Sequence, residues 1–233
     1  MPCTLPAALA DAAVCRGSFH AVLRTDVPDA VFSAFSAALQ KAQADGSLLT
    51  ASLFRYENHL FFYAEGLNRP FTPQGLCPAL DAALLPWPPA LGEEAPRPWA
   101  AMQPYFYHDV PTTAADWQQG RCPQRRRGRI ALLPPDSWCS YMEHHLRIVT
   151  EGLVEGDRWH LICVQEGVLF SYLEEPRTNV NIKHQPGAHS PELDAWIAAD
   201  PESHFARFTP EQKAHPDSSH NFVFLPRIAG TED

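Results

Sequence analysis

The chain has 233 residues, and 45% hydrophobic against 19% charged side chains is the balance of a globular protein rather than a disordered one. Its 18 basic and 27 acidic side chains leave a net charge of −9, which makes the body a poor partner for a phosphate backbone. No apolar run approaches the ~20 residues of a membrane-spanning helix.

The first 115 residues hold 6 basic and 10 acidic side chains, residues 116–130 hold 5 and 1, and the remainder hold 7 and 16. Two acidic segments thus flank a basic cluster, Arg125-Arg126-Arg127, and a short charge run between domains reads as solvated. The sequence therefore predicts no nucleic-acid and no membrane partner. The six cysteines, from Cys3 to Cys163, contain no CxxC pair. Leu5 to Val14 is apolar but carries Asp11 and has no basic segment before it, so it does not read as a signal peptide. Scattered thiols without such a signal fit a reducing cytoplasm.

In chain order, the elements repeat. Phe19–Leu23 reads as a first strand, followed by Pro28 and a helix over 29–44 with Val31, Phe32, Phe35 and Leu39 at helical spacing. Residues 53–65, LFRYENHLFFYAE, read as a β-hairpin turning at Asn58. A second helix over 74–85 and an aromatic strand, Tyr105 to Val110, close the first unit. After the segment Thr112–Gly128, the order returns: strand Ile130–Leu133, prolines, a helix over 137–154, and the hairpin ICVQEGVLFSYLE over 162–174, turning at Gly167. A helix over 191–199 and a strand over 222–226 complete it. Leu60-Phe61-x-Tyr63-x-Glu65 matches Leu169-Phe170-x-Tyr172-x-Glu174.

Strand, helix, strand, strand, helix, strand is the ferredoxin-like split βαβ order. The expected class is α+β: a tandem duplication of a βαββαβ unit. A sheet covered by helices on one face leaves the other open. The expectation is two antiparallel sheets packed face to face, an internal pseudo-dimer. The expected domains are 17–113, a basic linker 114–128, and 129–233.

Histidine, the side chain suited to proton transfer near neutral pH, is uneven. Three lie in the first 115 residues and eight after it. The second half is therefore the candidate for a site, although His184, His189, His204 and His215, in polar loops, read as surface residues. Tyr141 and His145, spaced i, i+4, share a helix face, so they converge on one pocket if that face meets the sheet, or form a half-buried core pair. His144-His145 with Glu143 or Glu151 is not the HExxH pattern, and no metal is expected. Neither GxGxxG, GxxxxGK[ST] nor GxSxG occurs.

At these residues the second half resembles the L-rhamnose mutarotases, small dimeric α+β barrel proteins whose helix motif is Tyr-x-x-x-His-x-x-Ile-Trp-Pro-Glu. Here Tyr141, His145, Ile148 and Glu151 match in register, and Val149-Thr150 replaces Trp-Pro. The hairpin LFSYLE at 169–174 and the end SSHNFVFLP at 218–226 are similar to the family's strands, over about 100 residues from Arg129 to Arg227. Trp196 falls on the family's tryptophan-rich helix. In the first half the equivalents of Tyr141 and His145 are about Phe32 and Ser36, so that copy lacks the pair.

The resemblance implies acid/base opening of a monosaccharide ring, with His145 as main acid/base, Tyr141 as its partner and no cofactor. It implies sugar contacts from Trp196 and Tyr172, from Trp159, which reads equally as a core residue, and from Glu151, which orients a group or caps polar surface; Arg147, a departure from the family's pattern, would favour an acidic sugar. The protein would be a monomeric pseudo-dimer or a homodimer. Two other readings stay open. One is a cofactor-free oxygenase or isomerase of the same fold, acting on an apolar aromatic substrate. The other is a non-catalytic binding protein in which Tyr141 and His145 are packed away from ligand.

Overall fold

The structure, a computed structural model, describes residues 5–179, 182–213 and 216–231. The chain divides into two compact units. In the first half of the sequence run β1 (Val14–Val22), α1 (Asp29–Ala44), β2 (Leu48–Tyr56), β3 (His59–Leu67), α2 (Pro78–Ala83), β4 (Ala100–Ala101) and β5 (Gln103–Phe106). Then come α3 (Ala114–Gln118), β6 (Arg125–Leu132), α4 (Pro135–Glu151), β7 (Val154–Glu155), β8 (Leu161–Gln165) and β9 (Val168–Glu175). The chain ends through β10 (Lys183–His184), α5 (Pro191–Ala198), β11 (Val223–Leu225) and β12 (Arg227–Gly230).

Each unit holds one five-stranded antiparallel sheet, ordered β12-β2-β3-β1-β4 in the first and β11-β6-β9-β8-β5 in the second. Without its outermost strand each has the ferredoxin-like order, β4-β1-β3-β2 and β11-β6-β9-β8. The protein is thus α+β, a duplicated ferredoxin-like fold. The fifth strand of each sheet comes from the other half of the sequence. β5 pairs with β8, and β12 with β2. The aromatic run at Tyr105 therefore does not close the first unit as its fourth strand. The two-residue β4 takes that place, on β1, and residues 103–110 belong to the second unit.

Local chemistry explains the elements. Both hairpins turn through two residues, with positive φ at Glu57 in one and at Glu166 and Gly167 in the other, the backbone hand that matches strand twist. α4 opens with Pro135 in its first turn, where no N–H is missed. It stops at Gly152, whose left-handed φ of 68° lets its N–H reach the Ile148 carbonyl. α5 opens on Ser190, whose hydroxyl accepts from the Leu193 N–H. α1 buries Phe32, Phe35 and Leu39, and α4 buries Tyr141, His145 and Ile148. In register, Phe32 matches Tyr141 and Leu39 matches Ile148, but α1 buries Phe35 where α4 has the half-buried His144, and α4 buries His145 where α1 carries Ser36, which accepts from the Gly230 N–H.

The repeated Tyr-x-Glu is a buried polar device. Tyr63 donates to Glu65 and Tyr172 to Glu174, each at 2.6 Å. Arg121 holds Glu65 through two bonds of 2.7 and 3.0 Å, while Arg126 lies 3.8 Å from Glu174. The segment 114–128, expected to be a linker, instead contains α3 and the start of β6. The strand begins at Arg125 rather than Ile130 because these arginines find acids. Arg125 lies 3.8 Å and Arg127 3.1 Å from Glu175, and Arg127 also meets Asp217 at 2.7 Å. No described helix is long and apolar enough to cross a membrane.

Candidate active site

The second unit contains a cavity of about 340 Å³ between α4, α5 and the β8 and β5 side of the sheet. Its lining is mixed, and the apolar part is Phe106, Ile162, Ile182, Leu193, Trp196, Ile197, Pro201 and Phe222. Its polar lining is Tyr141, His145, His108, His160, Arg129, Arg177, Asp157 and Glu202. Tyr141 and His145, each 4% exposed, therefore face this cavity from the buried stripe of α4.

His145 sits in an aromatic box, with ring centroids of Tyr141 at 4.2 Å, Trp196 at 4.7 Å and Phe106 at 4.8 Å. Its Nδ1 lies 2.9 Å from the Tyr141 carbonyl oxygen. A carbonyl only accepts, so Nδ1 carries the proton and Nε2 keeps its lone pair. Burial in this box lowers the imidazole pKa to about 4. At neutral pH it is an uncharged base of fixed tautomer. Burial likewise pushes the Tyr141 phenol up to about 12, so it remains a neutral donor. The Tyr105 ring stands edge-on to it, 6.0 Å between centroids.

Two arginines line the cavity in different states. Arg177 Nε is 3.2 Å from Asp157 Oδ2, and Asp157 also accepts from the Thr178 N–H and hydroxyl. Arg129 projects from β6 with its guanidinium 4.4 Å over the Phe222 ring. His108 packs edge-on to Phe106, 4.9 Å between centroids, and burial lowers its pKa. Gly156 makes room for it, since a Cβ there would lie 1.8 Å from His108 Cδ2. Among the described residues no group of three or more His, Cys, Asp or Glu is placed to hold a metal.

The expected site residues divide. His145, Tyr141 and Trp196 come together at the cavity. Glu151, at the end of α4, instead accepts from the Ser190 hydroxyl and so ties α4 to the cap of α5. Arg147 is exposed, paired with Glu143 at 2.5 Å and Glu192 at 3.9 Å. Tyr172 is fully buried and spends its hydroxyl on Glu174. Trp159 is buried and lines no part of the cavity. His204, expected on the surface, is 8% exposed and packs against Trp196 at 5.3 Å, because the short 3₁₀ turn Pro201–His204 folds it back onto α5. His215 lies outside the described residues. Sequence reasoning missed Arg129, Arg177, Asp157, Phe106 and the role of His108. Of these, only Arg129 had a local signal, an inward position in the alternation of its strand.

No protein-family model and no curated protein matches the chain, so no such match stands behind the mutarotase resemblance. Among the solved structures that are similar, two are matched over most of their length. The first, named "Putative monooxygenase" and from Fusobacterium nucleatum, is 8% identical, with 94% of each chain covered and a TM-score of 0.42. The second, an anthrone oxidase-like protein, is 7% identical, with 93% of this chain and 95% of that one covered and a TM-score of 0.36.

Proposed function

We propose that the cavity of the second unit is an acid/base catalytic site for a small molecule with an aromatic or aliphatic portion, with His145 as the proton acceptor. The supporting observation is the state of that imidazole. It is neutral, its tautomer is pinned, and its ring lies against Tyr141, Trp196 and Phe106 at the cavity. Geometry of this kind pre-arranges a general base. A proton leaves an activated C–H or O–H of the substrate for Nε2, giving an imidazolium and a substrate anion. In an apolar box that ion pair is worth far more than in water, which compensates the weak basicity that burial imposes. Tyr141 donates to a substrate oxygen, and Trp196 packs on its ring.

Proton abstraction is the step common to an isomerase and to an oxygenase that relies on side chains alone. The Phe106 and Trp196 rings around His145 favour a substrate with an aromatic or aliphatic portion, while the polar side chains of the lining also suit a sugar. The mutarotase reading keeps one specific support, the Tyr141–His145 pair beside Trp196, 5.3 and 4.7 Å between ring centroids. Both are tested in one design. Enolisable aryl ketones and phenols are incubated in deuterium oxide, with C–H exchange followed by NMR and oxygen by electrode. A sugar panel is screened in parallel for anomer exchange. His145-dependent deuterium uptake supports the proposal, with oxygen consumption separating oxygenation from isomerisation. Exchange with a sugar alone moves the assignment to mutarotation, and no exchange with any compound rejects catalysis.

A further inference from the structure

We propose that the substrate carries a carboxylate and that Arg129 is its binding residue, an inference that rests on the cavity being the catalytic site. Arg129 stands on β6 opposite Phe224 and Ser171, and its side chain lines the cavity with His145 and Tyr141. Phe222 covers one face of the guanidinium at 4.4 Å. Its Nε is buried and makes no hydrogen bond, and among the described residues it has no ion-pair partner.

The other charges around it are otherwise engaged. Asp157 is spent on Arg177 and Thr178. Glu202, at the exposed rim, accepts from the Asn221 amide. It makes no ion pair with Arg129, although its charge supports the guanidinium through space. A guanidinium held in an apolar wall without a counter-ion is costly. The cost is visible in its pKa, drawn down to about 10 by burial first and by Arg177 second. Such an arrangement is stabilised when a ligand supplies the missing anion. The planar fork of an arginine fits a carboxylate through two parallel bonds, and Phe106 and Trp196 would pack the apolar remainder. The acid-selecting role assigned to Arg147 from sequence thus passes to a residue inside the cavity.

The test compares binding of phenylacetate, phenylacetamide and inorganic phosphate by ligand-observed NMR and calorimetry. The expected result is at least a tenfold preference for phenylacetate over the amide and over phosphate. Arg129→Met should abolish the preference without lowering the melting temperature, and Arg129→Lys should retain part of it. His145→Ala should lose turnover of any substrate found yet keep the carboxylate preference, so the two proposals fail separately. Equal binding of acid and amide by the natural protein would overturn the inference, as would phosphate binding as well as phenylacetate. An unchanged preference in Arg129→Met would do the same. Unfolding of both arginine variants would assign Arg129 to packing on Phe222 and remove the subsite.

Discussion

His108 occupies the space that a side chain at Gly156 would fill: a Cβ built there lies 1.8 Å from His108 Cδ2 and 1.9 Å from Nε2. The requirement is steric, since Gly156 does not have a positive φ. It fixes a residue carried in by β5 against the turn after β7.

Gly156→Ala should therefore expel His108 from the cavity wall, at about 1–3 kcal/mol of stability, the usual cost of overpacking. In a His108→Ala background the same substitution should cost much less. Thermal melts of the two single variants and the double variant measure that coupling. Additive effects would show that His108 does not sit against Gly156.

His145→Gln keeps the volume of the site but removes the ring base. Turnover of a substrate found by the exchange screen should fall about 10²–10⁴-fold, the usual worth of a general base. Tyr141→Phe keeps the packing on His145 and should act mainly on substrate binding, at about 0.5–1.5 kcal/mol for one lost hydrogen bond. Steady-state kinetics separate the two. Equal losses in both variants would mean the pair works as one unit.

The folded pKa of His145, about 4, is below its unfolded value of 6.5. Between these values the unfolded chain binds the extra proton, so stability rises with pH across that window and falls as the medium is acidified. The full effect is about 3 kcal/mol. Denaturant titrations of the natural protein and His145→Gln, at intervals from pH 7 to pH 4, should show a steeper loss in the natural protein. Parallel profiles would contradict a buried neutral imidazole. The acid limb of kcat/KM should lie near pH 4 rather than 6.5.

Glu65 tests the buried triad of the first unit. Burial, the largest single influence, would raise its pKa, but the Arg121 guanidinium, together with Arg16 and the Tyr63 hydroxyl, holds the carboxyl below its usual value. Its stabilisation is therefore present above the unfolded carboxylate pKa and is lost as pH falls through the lowered folded value. Glu65→Gln leaves Arg121 buried without its charge partner and should cost about 3–5 kcal/mol. Glu174→Gln should cost less, because Arg126 lies 3.8 Å away where Arg121 approaches to 2.7 Å. Urea melts of the two variants give the comparison.

Arg147→Ala should change neither ligand preference nor turnover, because its side chain is exposed and paired with Glu143 and Glu192. Reduced affinity for phenylacetate in this variant would return the anion-recognition role to α4's outer face.

Periodicity made the helices and hairpins legible. Tyr141 and His145 share a face because 3.6 residues make a turn, and that relation holds wherever the helix is placed. The doubled Leu-Phe-x-Tyr-x-Glu likewise marked the central hairpins, since alternation and a two-residue turn are local properties. The partners of Glu151, Arg147 and Tyr172 were not legible in the sequence, for a common reason. A side chain's partner is not a property of its own segment, and each of these found one in Ser190, Glu143 or Glu174.

By itself, then, the sequence determined the α+β class, the duplication, and the one helix that carries a phenol and an imidazole on its buried face. All three follow from short-range patterns of apolar, turn and aromatic residues. Only the tertiary structure decided which strand edges pair. It sent β5 to β8 and β12 to β2, brought Phe106 and His108 to the cavity of His145, and left Arg129 there with no ion pair among the described residues. Pairing of distant strand edges is set by which backbone edges and faces remain to be satisfied once the local elements have formed, and that information is held by no single segment of the chain.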